Sequence, residues 1–227
     1  MRNLCELTMA RVGLGRTGNS VPVRAMLEFQ LAHARARDAV HYPFNPAIIP
    51  GAVIVQSAAS DRVEYLRRPD LGRKLSPHVS LDKGDYDAVF VVCDGLSPLA
   101  VERHALPLLN EVMRRLDGWQ LAPIVVCERG RVAIGDEIGE RIGAKIAVVL
   151  IGERPGLSSP DSLGAYLTWA PRIGRTDAER NCISNIRPEG LDIGPAAELL
   201  LLLMTQSRTR QLSGVHLKPP SVPVLEP

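Results

Sequence analysis

Three runs of apolar residues, each ending at a charged or glycine-containing loop, constrain the fold of this 227-residue chain most strongly. They cover residues 87–93, 123–127 and 145–151, and each is apolar almost throughout rather than at alternate positions. Strands with this pattern are typical of parallel sheets that helices cover on both faces. The sequence therefore predicts an α/β protein with a doubly wound, mostly parallel sheet.

Helical patterns lie between and around these runs, and they divide the chain into three predicted parts. Residues 1–80 form an N-terminal arm and a mainly helical segment, residues 81–218 form a Rossmann-like domain, and the proline-rich residues 219–227 form a loose tail. The predicted helices cover residues 24–41, 61–68, 97–118, 132–142, 159–166 and 195–212, and further strands cover 52–55, 167–170 and 182–186.

Composition narrows the class of protein further. Hydrophobic residues make up 45% of the chain and aromatic residues 4%, so the core is built mainly from aliphatic side chains. The formal net charge of +2 argues against a nucleic-acid-binding surface. We expect no membrane span and no secretory signal, because no apolar run is long enough or suitably placed. The four cysteines have neither zinc-site nor disulfide spacing, which predicts a reduced, cytoplasmic protein.

The loop at residues 151–156, Ile-Gly-Glu-Arg-Pro-Gly, is the strongest candidate for a binding site. It directly follows the third apolar run, and ligands of doubly wound sheets bind beyond the carboxyl ends of the strands. Residues 94–97 and 128–131 follow the other two runs at the same edge. We therefore predict that Glu153 contacts a ligand, against the alternative of a plain surface turn.

Two further features each have two interpretations. Cys182 lies among Asn and Ser residues that suit recognition of amides or phosphate, or it is a buried cysteine at a capped strand end. No histidine is close in sequence to act as the base that a nucleophilic cysteine needs. One face of a predicted helix has no side chains, because glycine recurs there at Gly135, Gly139 and Gly143. This face allows either close packing on the sheet or the approach of a ligand near the first turn, at Val132.

The signatures of self-contained catalysis are incomplete. Residues 13–18 match G-x-G-x-x-G, but no strand before them or helix within them is evident, which favours a flexible or partner-bound arm. The sequence has no P-loop and no nucleophile elbow. The run 199–204 is apolar on every side of its helix and predicts burial in the core, or else in a subunit interface.

An ordered set of motifs runs through nearly the whole chain. The most specific are residues 130–136, 150–157 and 181–186. Together the motifs resemble the small (light) subunit of ethanolamine ammonia-lyase, an adenosylcobalamin-dependent bacterial enzyme. Each motif alone is weak, whereas the ordered set is specific. The set also contains residues 10–16, 29–40, 65–73, 94–97 and 159–163.

The resemblance implies a function shared between two chains. The family's large subunit is a TIM barrel that holds ethanolamine and carries the catalytic side chains, and the corrinoid lies between the two subunits. Residues 81–218 are then a cobalamin-binding domain, with cofactor contacts at Val132, Glu153 and Cys182. The implied reaction converts ethanolamine to acetaldehyde and ammonia by a radical mechanism, and the cofactor supplies the difficult chemistry.

The resemblance also implies where the chain acts. The absence of an Asp-x-His-x-x-Gly signature agrees with a base-on cofactor, whose own dimethylbenzimidazole binds cobalt, and we predict no metal ligand from this chain. We expect a hetero-oligomer of paired subunits, without nucleic acid or membrane, in the cytoplasm or inside a bacterial microcompartment. The alternative is a self-contained α/β enzyme that binds a nucleotide at the carboxyl edge of the strands.

Overall fold

The computed structural model describes Thr8 and residues 10–218, and one six-stranded sheet lies at their centre. Its strands in chain order are β1 (Val53–Gln56), β2 (Tyr86–Cys93), β3 (Val125–Glu128), β4 (Ala144–Gly152), β5 (Leu163–Trp169) and β6 (Arg180–Ile186). Across the sheet they stand in the order β1-β3-β2-β4-β5-β6. The first four strands are parallel, and β5 and β6 extend the sheet by antiparallel pairing. The predicted α/β class is confirmed, with a mixed sheet.

The α-helices of the described residues follow the predicted pattern, with shifted ends. They are α1 (Val23–Val40), α2 (Arg62–Arg67), α3 (Pro98–Met113), α4 (Ile134–Ile142) and α5 (Ile193–Arg210). Ser97 caps α3, since its side chain accepts a hydrogen bond from Ala100 N at 3.3 Å. Val132 lies in the turn that leads into α4 rather than in the helix itself.

The helix predicted at residues 159–166 is wrong. Residues 153–162 form the loop after β4, and the chain then enters β5, which also includes most of the strand predicted at 167–170. Pro160 O accepts a hydrogen bond from Ser97 Oγ at 2.8 Å, which holds the end of this loop against α3. The open edge of β4 then offers a full ladder of backbone hydrogen bonds, and this tertiary pairing outweighs the weak local preference for a helix.

Helices cover the two faces of the sheet to different extents. Helices α3 and α5 pack on one face and bury a core that extends from β2 to β6. Helix α4 packs on the other face, over β2 and β4. The run 199–204 belongs mainly to the first core, because Leu200, Leu203 and Met204 are buried. The prediction that this run lies in the core is thus confirmed.

Glycines bring α4 close to the sheet. A Cβ atom on Gly135 would lie 2.2 Å from Val149 Cγ2, and one on Gly139 would lie 2.4 Å from Pro171 Cγ. Gly143 ends the helix with φ at +81°, in the left-handed region. The interpretation of these glycines as a close-packing face is confirmed.

The N-terminal part packs loosely in this single chain. Helix α1 has 18 residues and buries only Ala39. Within the described residues, the stretch 13–18 has no strand before it and no helix within it. The predicted boundary after residue 80 stays a prediction, and β1, which precedes it, pairs with β3 in the common sheet. The predicted tail 219–227 lies outside the described residues. None of the described helices is long and apolar enough to cross a membrane.

Candidate functional site

A crevice opens between the loops that follow β2 and β4. From β2 the chain passes through α3 to β3, and from β4 it turns back into β5 on the opposite side. Ligands of α/β sheets bind at such a point of divergence. Gly95 (φ +59°) and Gly152 line its floor, where Leu96 N donates to Gly152 O at 2.9 Å. A Cβ atom on Gly152 would lie 2.0 Å from Ser97 O, so only glycine fits this contact.

An ion pair between Arg62 and Asp94 anchors the loop after β2. Arg62 Nη1 lies 2.8 Å from Asp94 Oδ2, and the same guanidinium donates to Val40 O and Gly95 O. Asp94 Oδ1 accepts a hydrogen bond from Gly130 N at 3.2 Å. Burial raises the pKa of Asp94 to about 6, although Arg62 opposes the shift. This pair joins the end of α1 to the loops after β2 and β3.

Arg131 lies three residues before α4 and packs against the ring of Tyr65. Its Cζ atom is 4.3 Å from the ring centroid, and its backbone N donates to Gly72 O at 2.7 Å. A Cβ atom on Gly72 would lie 2.8 Å from Arg131 Cγ, so this close approach requires glycine. Tyr65 is fully buried and donates its hydroxyl to Gly130 O at 3.0 Å. The N-terminal part thus fixes the approach to α4, including Val132.

Glu153 is held by donors from two other segments. Its Oε2 atom accepts hydrogen bonds from Ser162 Oγ and from Asn185 N (3.1 Å), and its Oε1 atom accepts from Ser184 Oγ at 2.6 Å. A carboxylate has about four acceptor positions, so about one remains for a ligand. Glu153 therefore organises the loop and the end of β6 while keeping capacity for a further hydrogen bond.

Part of the sheet face beside α4 has no helix over it. Cys182 and Ser184 on β6 are exposed there, and Tyr166 on β5 is half-buried. Tyr166 and Cys182 are direct partners in the register of the two strands. Although Cys182 is exposed, desolvation of its thiol by the sheet raises its pKa, with Glu153 adding to the shift. A thiol that ionises less readily suits a contact surface better than a nucleophile.

Two adjoining cavities occupy this region. The first has a volume of about 420 Å³ and includes Val132, Glu153, Tyr166 and Ser184 in its wall. The second, of about 740 Å³, lies on the other side of Arg131, Val132 and Tyr166, which both cavities share. A large ligand over Tyr166 and Val132 would therefore extend into both.

The structure brings two of the three predicted contact residues into one cavity. Val132 and Glu153 line it together, and Cys182 lies beside it as the strand partner of Tyr166. Sequence reasoning missed Tyr65, because its role depends on burial against Arg131. It also misses Tyr166, because the local pattern indicates a helix over part of β5. Among the described residues, no group of three His, Cys, Asp or Glu side chains is placed to hold a metal ion.

Fold and site together define an α/β protein with open cavities at the carboxyl edge of its parallel strands. Residues 1–218 match the family model described as ethanolamine ammonia-lyase light chain. The chain belongs to that family.

Three relatives, each named ethanolamine ammonia-lyase small subunit, are similar to most of the chain. The relative from Azotobacter vinelandii is 55% identical over 96% of this chain and 87% of its own length. The relative from Pseudomonas fluorescens is 54% identical over 95% and 84%, and that from Ralstonia nicotianae is 54% identical over 98% and 90%. The similarity therefore extends across the sheet and the N-terminal part alike.

Proposed function

We propose that this chain is the small subunit of an adenosylcobalamin-dependent ethanolamine ammonia-lyase and holds one side of the corrinoid. The observation that carries this proposal is the cavity that joins Val132 to Glu153 beside the uncovered face of β5 and β6. In this proposal a TIM-barrel large subunit holds ethanolamine and performs its conversion to acetaldehyde and ammonia. The sheet domain then acts as a Rossmann-like cofactor-binding unit, with ligand at the carboxyl edge.

The residues at the site fit a corrinoid, which is broad, flat and fringed with amides. Val132 and the ring of Tyr166 offer apolar contact in the cavity wall, and the thiol of Cys182 lies next along the same face. Glu153 keeps an acceptor position for an amide N–H, as its three internal hydrogen bonds leave one free. Adenosylcobalamin, when bound base-on, supplies radical chemistry through its cobalt–carbon bond. This chain would bind and orient it and exclude water.

The need for a second chain is supported by α1. Val23, Leu27 and Leu31 recur at every fourth position, and their exposed fractions are 74%, 58% and 53%. Such a stripe of large apolar side chains on one helix is typical of a surface that another chain covers. We propose that the large subunit covers it in a hetero-oligomer of paired subunits, in the cytoplasm or in a bacterial microcompartment.

The test compares the separate chains with the reconstituted complex. We expect that neither chain alone converts ethanolamine, and that the complex does so when adenosylcobalamin is added. The corrinoid absorption spectrum, followed during titration, reports binding directly. Turnover of ethanolamine by this chain alone would contradict the proposal, as would a complex that binds the corrinoid no more tightly than the large subunit does. Binding of NAD or ATP to this chain in calorimetry would instead favour the self-contained nucleotide enzyme.

A further inference from the structure

The second cavity, of about 740 Å³, contains charges of both signs, but its carboxylates are already paired. Asp136 forms a two-pronged, buried ion pair with Arg180, at 2.5 and 2.8 Å. Asp177 also contacts Arg180, at 3.4 Å. Asp70 lies 2.7 Å from Arg68, which is outside the cavity. Each negative side chain of the wall is therefore already paired with an arginine, with Asp136 and Asp177 sharing Arg180.

Three cations of the same wall are not neutralised. Arg73, Lys74 and Arg131 have no carboxylate at ion-pair distance among the residues that the structure describes. Arg131 is held in place by the ring of Tyr65, and its Nε atom is buried without a hydrogen-bond partner. The cavity thus has an excess of positive charge on the side formed by Arg73, Lys74 and Arg131.

Backbone donors add to this charge. The N–H groups of Val132 and Ala133 precede α4, and neither donates to an acceptor within the described part of the chain. The N-terminal end of a helix carries a partial positive charge and favours anions. The backbone donors and the cations therefore lie on one wall, and both favour a negatively charged ligand.

We propose that Arg73, Lys74 and Arg131, with the amides before α4, form a phosphate-binding subsite for the phosphodiester in the nucleotide loop of the corrinoid. The inference rests on the proposed function, because a single ligand must reach both cavities across their shared wall at Val132 and Tyr166. Guanidinium and ammonium groups form charge-assisted hydrogen bonds to phosphate oxygens. Free phosphate has the same chemistry and is the competing source.

The experiment uses the complex with the large subunit and two corrinoids. Cyanocobalamin has the phosphodiester, whereas dicyanocobinamide lacks the whole nucleotide loop. The variant is Arg73→Gln with Lys74→Gln, both exposed, so the fold is retained. The control with equal charge change is Lys83→Gln with Arg210→Gln, which lie outside both cavities. Affinities are measured by equilibrium dialysis with the corrinoid absorbance as readout.

We expect the variant to lose about tenfold or more in affinity for cyanocobalamin, which corresponds to about 1.4 kcal/mol, and to keep its affinity for dicyanocobinamide. The control keeps both affinities. Inorganic phosphate should weaken cyanocobalamin binding to the unaltered complex, and less so to the variant. The loss should also diminish as salt is raised, because the contact is between exposed charges.

Three results would overturn different statements. Equal losses for both corrinoids, or no loss for either together with no calorimetric binding of inorganic phosphate, would overturn the phosphate subsite and leave the proposed function intact. Calorimetric binding of inorganic phosphate that the variant abolishes, with cyanocobalamin affinity unchanged, would overturn the assignment to the cofactor in favour of a free anion. An unaltered complex that binds neither corrinoid would overturn the proposed function itself.

Discussion

The two faces of the sheet are formed by the same strands but differ in how far helices cover them. On one face, α3 and α5 cover the sheet out to β6, and side chains such as Phe90, Leu167 and Ile186 are almost completely buried. On the other face α4, with nine residues, packs mainly on β2 and β4, and Cys182 and Ser184 are exposed. The covered face therefore holds most of the buried core, and the uncovered strip beside α4 is the binding surface that we propose.

This contrast indicates that the strip is left uncovered because α4 is short, and not because its strands are unusual. Residues of β5 and β6 alternate between the faces, so neighbouring positions such as Cys182 and Ile183 differ completely in burial. A ligand or a partner chain can cover the strip without any change in the core beneath it. The predictions below test whether stability and binding separate in this way.

The largest effect is expected from the covered face. Phe90→Ala should lower the free energy of unfolding by about 3–5 kcal/mol, because it leaves a cavity under α3. Ile54→Ala is the matched control, since Ile54 lies in the same sheet but is 52% exposed, and it should cost less than about 1 kcal/mol. Urea unfolding measures both. Equal losses in the two variants would show that the difference in burial does not govern stability.

The stability of the chain should depend on pH through Asp94, which directly follows β2. Its folded pKa of about 6 lies above the ordinary value of 3.8, so the folded chain keeps a proton that the unfolded chain releases. The contribution of Asp94 to the free energy of unfolding is then most favourable below about pH 4. It falls by about 2–3 kcal/mol as the pH rises through 6. The difference between the unaltered chain and Asp94→Asn, from urea unfolding at several pH values, isolates this slope. Parallel curves would contradict the prediction.

A methyl group added where α4 touches the sheet should destabilise the fold. Gly135→Ala places a Cβ atom 2.2 Å from Val149 Cγ2 and should lower the free energy of unfolding by about 1–3 kcal/mol. Gly194→Ala is its control, since nothing lies within 4 Å of that Cβ position in α5. The control should be neutral or stabilising by up to about 1 kcal/mol. The comparison fails if both substitutions have the same sign.

On the uncovered strip, binding should change more than stability. Glu153→Gln replaces an acceptor that three donors share, so we expect about a tenfold loss of corrinoid affinity in the complex. Glu198→Gln, on the exposed surface of α5, should leave the affinity unchanged. Spectroscopic titration gives the affinities, and urea unfolding of the same proteins gives the stabilities. A large loss of stability with unchanged affinity would reverse the roles assigned to the two faces.

The smallest effect concerns the thiols. The raised pKa of Cys182 leaves less thiolate near pH 8, so iodoacetamide should modify it a few times more slowly than free cysteine. Cys93 and Cys127 lie on buried strands and should remain unmodified in the folded chain. Peptide mapping by mass spectrometry separates the sites. Faster modification of Cys182 than of free cysteine would indicate an activated thiol and a chemical role.

Much of the candidate site could be predicted from the sequence, because it lies where strands end. Glu153 follows an apolar run and Val132 lies just before a helix, so periodicity places both near strand ends, whereas the resemblance assigned Val132 as a contact. Tyr65 and Arg131 could not be paired in this way, since they are 66 positions apart and meet only through packing around Gly72. Ser162 and Ser184 reach Glu153 from separate segments, and no local pattern indicates that they converge.

The sequence by itself determined the α/β class, the parallel strands β2, β3 and β4, and the family, because apolar periodicity and ordered motifs are local properties of the chain. Only the tertiary structure decided the direction of β5, which was predicted in part as a helix but pairs with the open edge of β4. It also decided that α4 leaves Cys182 uncovered and that Val132 and Glu153 share a cavity. The physical reason is that hydrogen bonds and burial between distant segments outweigh local preferences of a few tenths of a kcal/mol per residue.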